Sequence, residues 1–286
     1  MSYRILTDSC CDFSEQMYNT LNIGHVTLCL NFRGGEHRDL SEGFIKELYN
    51  AMRDGETAST AAVNPTEWAA AMEPVLAAGE DLLLLAFSSG LSTTYQSAVI
   101  AAEELKEKYP DRKVYVVDTL CASRGQAMFV WQACKLRDGG MSLDELHIWC
   151  EDHKLNMCHW FTVDDLVYLK RGGRVSAATA LLGTMLNIKP ILHVDDEGHL
   201  ISMGKVRGRK ASIEAIAKKL GETGLPGEND TVFICHGDCI EDAKLLEKLV
   251  KEQYGVKEVL TYYTGAVIGS HSGPGTLALF FWGSHR

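Results

Sequence analysis

Two stretches far apart in the chain hold the side chains best suited to chemistry. The first is Ser88-Ser89-Gly90-Leu91-Ser92-Thr93-Thr94, in which six of seven residues are glycine or carry a hydroxyl. Thr93 with Gln96 fits a helix capping box, which would use one or two of these hydroxyls. The excess points to hydroxyls and backbone N–H groups converging on a carboxylate or phosphate. The second stretch is Ile268-Gly269-Ser270-His271-Ser272-Gly273-Pro274-Gly275. Glycine allows positive φ and close backbone approach to a ligand, and proline suits the first turn of a helix. The segment is read as a turn feeding a short helix from Thr276 to Trp282. His271 and Ser272 would then stand at a helix mouth, where free N–H groups attract anions. The plainer reading is a glycine-rich turn with a surface histidine.

Other chemistries are poorly served. There is no Walker Gly-x-x-x-x-Gly-Lys and no Gly-x-Gly-x-x-Gly after a strand. The Gly-x-Ser-x-Gly elbow is also missing, because Gly90-Leu91-Ser92 lacks the second glycine. A triad of Ser92, His271 and Asp8 or Asp118 can be assembled only on paper. Cys235-His236-Gly237-Asp238-Cys239 suggests a metal, but a structural zinc site needs a second close ligand pair, and none is apparent; no metal or cofactor is expected. Two basic segments, Lys170-Arg171-Gly172-Gly173-Arg174 and Lys205-Val206-Arg207-Gly208-Arg209-Lys210, stand out in an acidic chain. They are either a solvated face or a dock for an acidic partner or phosphoryl groups, where arginine forks are favoured.

A formal net charge of −10 argues against a protein that mainly binds nucleic-acid backbone. At 286 residues, 46% hydrophobic and 23% charged, the composition is that of a globular protein of one large or two ordinary domains. No apolar run is long enough to span a membrane, and the opening residues lack a signal peptide's apolar core; a cytoplasmic location is expected. Nine scattered cysteines give no disulfide framework and are read as buried small hydrophobes.

The elements that must position these residues alternate. Tyr3 to Leu6 is a short strand, and Asp12 with Glu15 marks a helix start. Val26 to Phe32 is a strand leading into a turn. Asn64-Pro65-Thr66-Glu67 opens a helix running to about Ala78, with a possible kink at Pro74. Leu82 to Phe87 reads as a strand buried on both faces, followed by the hydroxyl cluster and a helix with Tyr95, Ala98, Val99, Ala102 and Leu105 on one face. Val114 to Val117 is a strand and Ala122 to Leu136 a helix, and Ser142 with Glu145 begins another. Such alternation implies a parallel sheet, with Asp8, Ser88 to Thr94 and Asp118 beyond its strands' carboxyl ends, where ligands bind. Later come a strand at Trp160 to Val163, helices at Asp164 to Lys170 and Val175 to Leu186, and a hairpin of Ile188 to Val194 with Leu200 to Val206. Helix, strand, helix and strand then follow to Tyr263. The expected fold is a two-domain α/β protein: residues 1–157 a Rossmann-like parallel sheet, residues 158–286 an α/β domain with a mixed or antiparallel sheet.

In this order the clusters resemble the DegV family of bacterial fatty-acid-binding proteins. Thr7-Asp8-Ser9 is similar to the family's opening Thr-Asp-Ser. Ser88 to Ala98 is similar to its Ser-Ser-x-Leu-Ser-Gly-Thr-Tyr-Gln-Ser-Ala. Tyr168 to Ser176 and Leu186 to Ile191 match its central signatures. His271-Ser272-Gly273-Pro274-Gly275 matches its terminal His-Thr-Gly-Pro-Gly.

The resemblance implies a two-domain protein that buries one long-chain fatty acid, such as palmitate, stearate or oleate. Thr60, Ser92 and His271 would bind the carboxylate, while Ser89, Thr93, Thr94, Ser272 and Gly273 shape the loops. An ATP-dependent fatty acid kinase subunit would be the partner that forms the acyl phosphate, with Arg174 and Arg207 contacting the partner or the phosphoryl group. The chain departs from the family at Thr60-Ala61-Ala62-Val63-Asn64, where Thr-Ser-Gln-Pro-Ser is usual, and at Thr93, where glycine is usual, which makes positive φ unfavourable there. The rival readings are a Ser92-dependent acyl or phosphoryl hydrolase or transferase, and a structural or regulatory module with no ligand.

Overall fold

A computed structural model of the chain describes residues 3–38, 41–175 and 187–286. Thirteen strands occur among these residues: β1 (Tyr3–Asp8), β2 (Gly24–Val26), β3 (Cys29–Phe32), β4 (Gly35–His37), β5 (Ser59–Ala61), β6 (Asp81–Ala86), β7 (Val114–Asp118), β8 (Met157–Thr162), β9 (Ile188–Val194), β10 (Leu200–Arg207), β11 (Thr231–His236), β12 (Glu258–Tyr263) and β13 (Leu277–Trp282). They form a four-stranded sheet in the order β2-β1-β6-β7, a six-stranded sheet in the order β10-β9-β8-β13-β11-β12, and a small β4-β3-β5 sheet. The first sheet is wholly parallel. In the second, β11 and β12 run parallel and the other pairings are antiparallel.

The core explains the layering. Strand β6 (DLLLLA) is buried along its whole length, as expected of a central parallel strand covered on both faces. The helix Ser123–Asp138 lies between the two large sheets. Its Ala127, Met128, Phe129, Val130 and Ala133 pack with Ile5, Leu83 and Leu85 on one side and with Phe233, Ala278 and Phe280 on the other. A second core covers the outer face of the parallel sheet with the helices Pro65–Ala77 and Thr94–Lys108. A third covers the outer face of the mixed sheet with Arg209–Thr223 and Ile240–Tyr254.

Several expectations hold in detail. The capping boxes at Asn64/Glu67 and Ser142/Glu145 form with both hydrogen bonds. The hairpin β9–β10 pairs Ile188 with Arg207 and Val194 with Leu200.

Four local readings are corrected. Residues 276–282 do not form a helix. Leu277–Trp282 is β13, fully buried and paired with β8 and β11 on either side. Its run of leucine and aromatic side chains suits a strand held between two neighbours, and the helix here is Ala266–Ser272, which precedes the turn. The first helix is capped by Ser14, not Asp12. Asp12 instead has φ of 57° and ends a short 3-10 turn at Ser9–Cys11. Thr93 makes no capping bond, because Ser92 Oγ accepts the Thr94 N–H in its place. Val26 to Phe32 is split between two sheets, at β2 and β3. The helix expected from Val175 to Leu186 falls almost wholly in residues 176–186, outside the described residues.

Candidate functional site

Beyond the carboxyl ends of β1, β6 and β7 lies a cavity of about 480 Å³, a volume within the usual range for small-molecule sites. Its walls are mainly apolar, among them Leu28, Phe87, Phe161, Val267 and Phe280. The mixed sheet closes it through β8, β11 and β13.

The polar groups grouped around His271 come from four segments, and Ser123, His159, Thr264 and Thr276 also line the cavity. Thr60, on β5, is held opposite Leu30 by the small antiparallel sheet. His271 stands in the last turn of Ala266–Ser272, and its Nε2 lies 2.8 Å from Thr60 Oγ1. Behind the ring is Gly172, where a Cβ would sit 2.2 Å from His271 Nδ1, so any side chain there would have to displace the ring. Arg174 follows and holds the loop: Nε and Nη2 donate to the Leu91 carbonyl at 3.2 and 3.0 Å, and Nη1 donates to the Gly172 carbonyl. The contacts therefore run from Thr60 through His271, Gly172 and Arg174 to the Leu91–Ser92 loop. Ser272 Oγ is buried in the same wall without a hydrogen-bond partner among the described residues. A buried hydroxyl left unpaired costs about 1–3 kcal/mol, which an incoming acceptor would recover.

The hydroxyl cluster divides its work. Ser88 Oγ donates to the Gly198 carbonyl at 2.9 Å and accepts the Gly90 N–H, docking the loop on the β9–β10 turn. Asp118 Oδ1 accepts the Ser89 and Leu120 N–H groups. Ser92 and Thr94 hydroxyls pair at 2.8 Å. Ser89, Ser92 and Thr93 reach the cavity wall, while Thr94 is buried beneath it. Thr93 has φ of −78°, so glycine's freedom is not needed there.

Asp8 supports the loop from below: its carboxylate accepts the Phe87 N–H at 2.7 Å, the Cys10 N–H at 3.0 Å and the Gln126 amide at 3.3 Å. Burial nevertheless pushes it up to about 6. Burial pushes His271 down to about 4, with the Arg174 charge acting the same way, so the imidazole is neutral near pH 7. It sits at a helix C-terminus, not at the N-terminal mouth the sequence suggested.

The triad does not assemble. His271 meets Thr60 rather than Ser92, while Asp8 and Asp118 are occupied by backbone amides. The Cys235–Cys239 segment is a brace. Gly237 exchanges hydrogen bonds with Thr276 and Gly275 at 2.7 Å, and Cys239 Sγ donates to the Thr276 carbonyl, fixing the turn through Gly273 (φ 83°) and Gly275 (φ 78°). Arg207 is exposed at the end of β10 and does not line the cavity.

A model described as "Uncharacterised protein, DegV family" matches residues 2–283. The chain belongs to the DegV family. A DegV domain-containing protein of Clostridium perfringens is 44% identical over 284 residues, which cover 99% of this chain and 98% of the relative. The solved structure of a DegV family protein from Thermus thermophilus, described by its fatty acid binding, is similar with a TM-score of 0.88 and 32% identity, covering 99% of this chain and 100% of that one. The Fatty Acid Kinase (Fak) B3 protein of Streptococcus pneumoniae, solved with linoleic acid, shares the fold with a TM-score of 0.84 at 21% identity, covering 99% of each chain.

In this DegV-family chain, sequence reasoning missed Gly172 as the seat of His271 and Ser272 as an unpaired hydroxyl. The Gly172-Gly173 pair was visible, but only the fold places it against the ring. Among the described residues, no helix is long and apolar enough to cross a membrane.

Proposed function

We propose that this chain binds one long-chain fatty acid, such as palmitate, stearate or oleate, in the apolar cavity, and presents its carboxylate to an ATP-dependent fatty acid kinase subunit. The carrying observation is the Thr60–His271 pair. Thr60, His271 and Arg174 line both the apolar cavity and an outer polar depression that also contains Arg33 and Arg171. A head group held there would have its hydrocarbon inside and its oxygens toward a partner. A dozen buried methylenes contribute roughly 10 kcal/mol before association costs, so the head group needs orientation more than strength.

With its proton on Nε2, His271 donates to Thr60 Oγ1 and frees the threonine O–H to donate to the carboxylate. Ser92 and the unpaired Ser272 hydroxyl supply further donors, and Ser89, Thr93, Thr94 and Gly273 set the loop shapes. Arg174 and Arg207 would face the partner or the transferred phosphoryl group. The chain's own role is that of a binding subunit, built from a first domain at 1–157 and a second at 158–286 that close on the ligand. Support comes from the family membership, the fatty acid binding of the Thermus relative and the polarity of the cavity.

Mass spectrometry of the purified protein, intact and after solvent extraction, tests this directly. One long-chain acid per chain is expected. A chain that carries no lipid and takes up no added palmitate would overturn the reading.

A further inference from the structure

A second cavity of about 420 Å³ lies beside the first, and Leu28 and Val267 form walls of both. Its notable feature is Arg124, only 3% exposed. The guanidinium lies over the Tyr262 ring at 3.9 Å and 5.8 Å from the Phe13 ring. Its Nε and Nη1 have no hydrogen-bond partner among the described residues. Asp12 is the carboxylate that acts on it most, but Asp12 is committed elsewhere, accepting the Ser123 hydroxyl at 2.5 Å and the Gly265 N–H. A buried cation without a bonded counter-charge is costly. Thr261 Oγ1, on the same lining, is also buried and has no hydrogen-bond partner among the described residues. The other arginine there, Arg38, is already bound to Glu67 and the Thr27 carbonyl.

We propose that this cavity is a second ligand site, in which Arg124 receives a small monocarboxylate with an apolar body. The planar guanidinium fork matches a carboxylate. Phe13, Leu30 and Ile45 supply apolar wall for the body. Asp12 and Glu42 face the same space and disfavour a dianion such as phosphate. The site is joined to the first cavity by the Asp12–Ser123 hydrogen bond, because Ser123 lines the first and Asp12 the second.

4-Bromobenzoate is a suitable probe, and its bromine can be located by anomalous scattering after co-crystallisation. The expected result is a bromine peak in the second cavity with the carboxylate on Arg124. A peak confined to the first cavity, or no peak, would overturn the proposal. Calorimetry provides a second readout. Benzoate should bind at one per chain, with benzamide and inorganic phosphate at least tenfold weaker. Arg124→Met should weaken benzoate at least tenfold, and Arg124→Lys by less, with cooperative thermal unfolding retained in both. Equal benzoate affinity in the wild type and Arg124→Met, or preference for phosphate, would refute a carboxylate site on Arg124. None of these readouts uses a long-chain acid, so their failure is separate from failure of the fatty-acid reading.

Discussion

His271 is a histidine whose charge depends on what lies beside it. Burial, with the Arg174 charge, lowers its pKa from 6.5 to about 4. A carboxylate placed beside the ring favours the cation and raises that value. Binding therefore takes up a proton wherever the pH lies between the free and bound values, and affinity rises as the pH falls. Palmitate affinity, measured by displacement of a fluorescent fatty acid, should strengthen from pH 8 to pH 6, and His271→Asn should flatten the profile; an unchanged slope would remove His271 from the site. The stability sign is opposite. A depressed histidine pKa favours the neutral folded form, so this contribution is present above pH 6.5 and lost as the pH falls toward 4. Ser272 gives a second prediction with a split outcome. Ser272→Ala removes a buried hydroxyl that has no partner among the described residues, so the protein without added lipid should keep or gain up to about 1 kcal/mol. Palmitate binding should weaken about tenfold, the loss expected for a hydrogen bond to a charged group. Falling stability with unchanged affinity would assign the hydroxyl a structural role. Ser89, Ser92, Thr93 and His271, singled out in the sequence by residue type, line the cavity. Which hydroxyl lacks a partner was not readable, because that depends on neighbours distant in sequence.

Strands, helices and turns had two different sources of legibility. Elements announced by local chemistry, such as the capping boxes at Asn64 and Ser142 and the hairpin around Asp195 to Gly198, were visible because side chains within four residues determine them. The segment Leu277–Trp282 was misread because a short apolar run looks the same for a buried helix and a buried strand; its two strand neighbours decide the matter. The loop–hairpin contact also arises only in the fold. A Cβ on Gly90 would lie 2.7 Å from the Glu197 carbonyl oxygen and 2.7 Å from the Gly198 carbonyl carbon, both backbone atoms that cannot swing aside. Gly90→Ala should therefore cost about 1–3 kcal/mol and move the loop that carries Ser92. The measurements are the thermal midpoint and palmitate affinity of the same variant, and both should fall. Full retention of both would show that the loop and hairpin turn separate freely.

For the whole molecule, the decisive feature is the core shared across the helix Ser123–Asp138. Phe129 is fully buried there, with Trp149 at 5.5 Å and Trp282, on β13, at 6.0 Å. The same cluster includes Leu83 and Leu85 of β6 and Phe233 of β11. Each sheet alone would leave one side of this helix in water, so proposed domains meeting at residue 157 should not unfold independently. Phe129→Ala should cost about 3–5 kcal/mol, and the loss should appear in both sheets. Native-state hydrogen exchange reads this by element. The amides of β6 and β11 should lose protection by the same free energy, with one unfolding transition. Palmitate at a hundred times its dissociation constant should restore about 2.7 kcal/mol to both strands, because a ligand held between the sheets binds only when both are folded. Loss of protection confined to one strand would instead mean that the two sheets are separate cooperative units, with the cavity opening as they part.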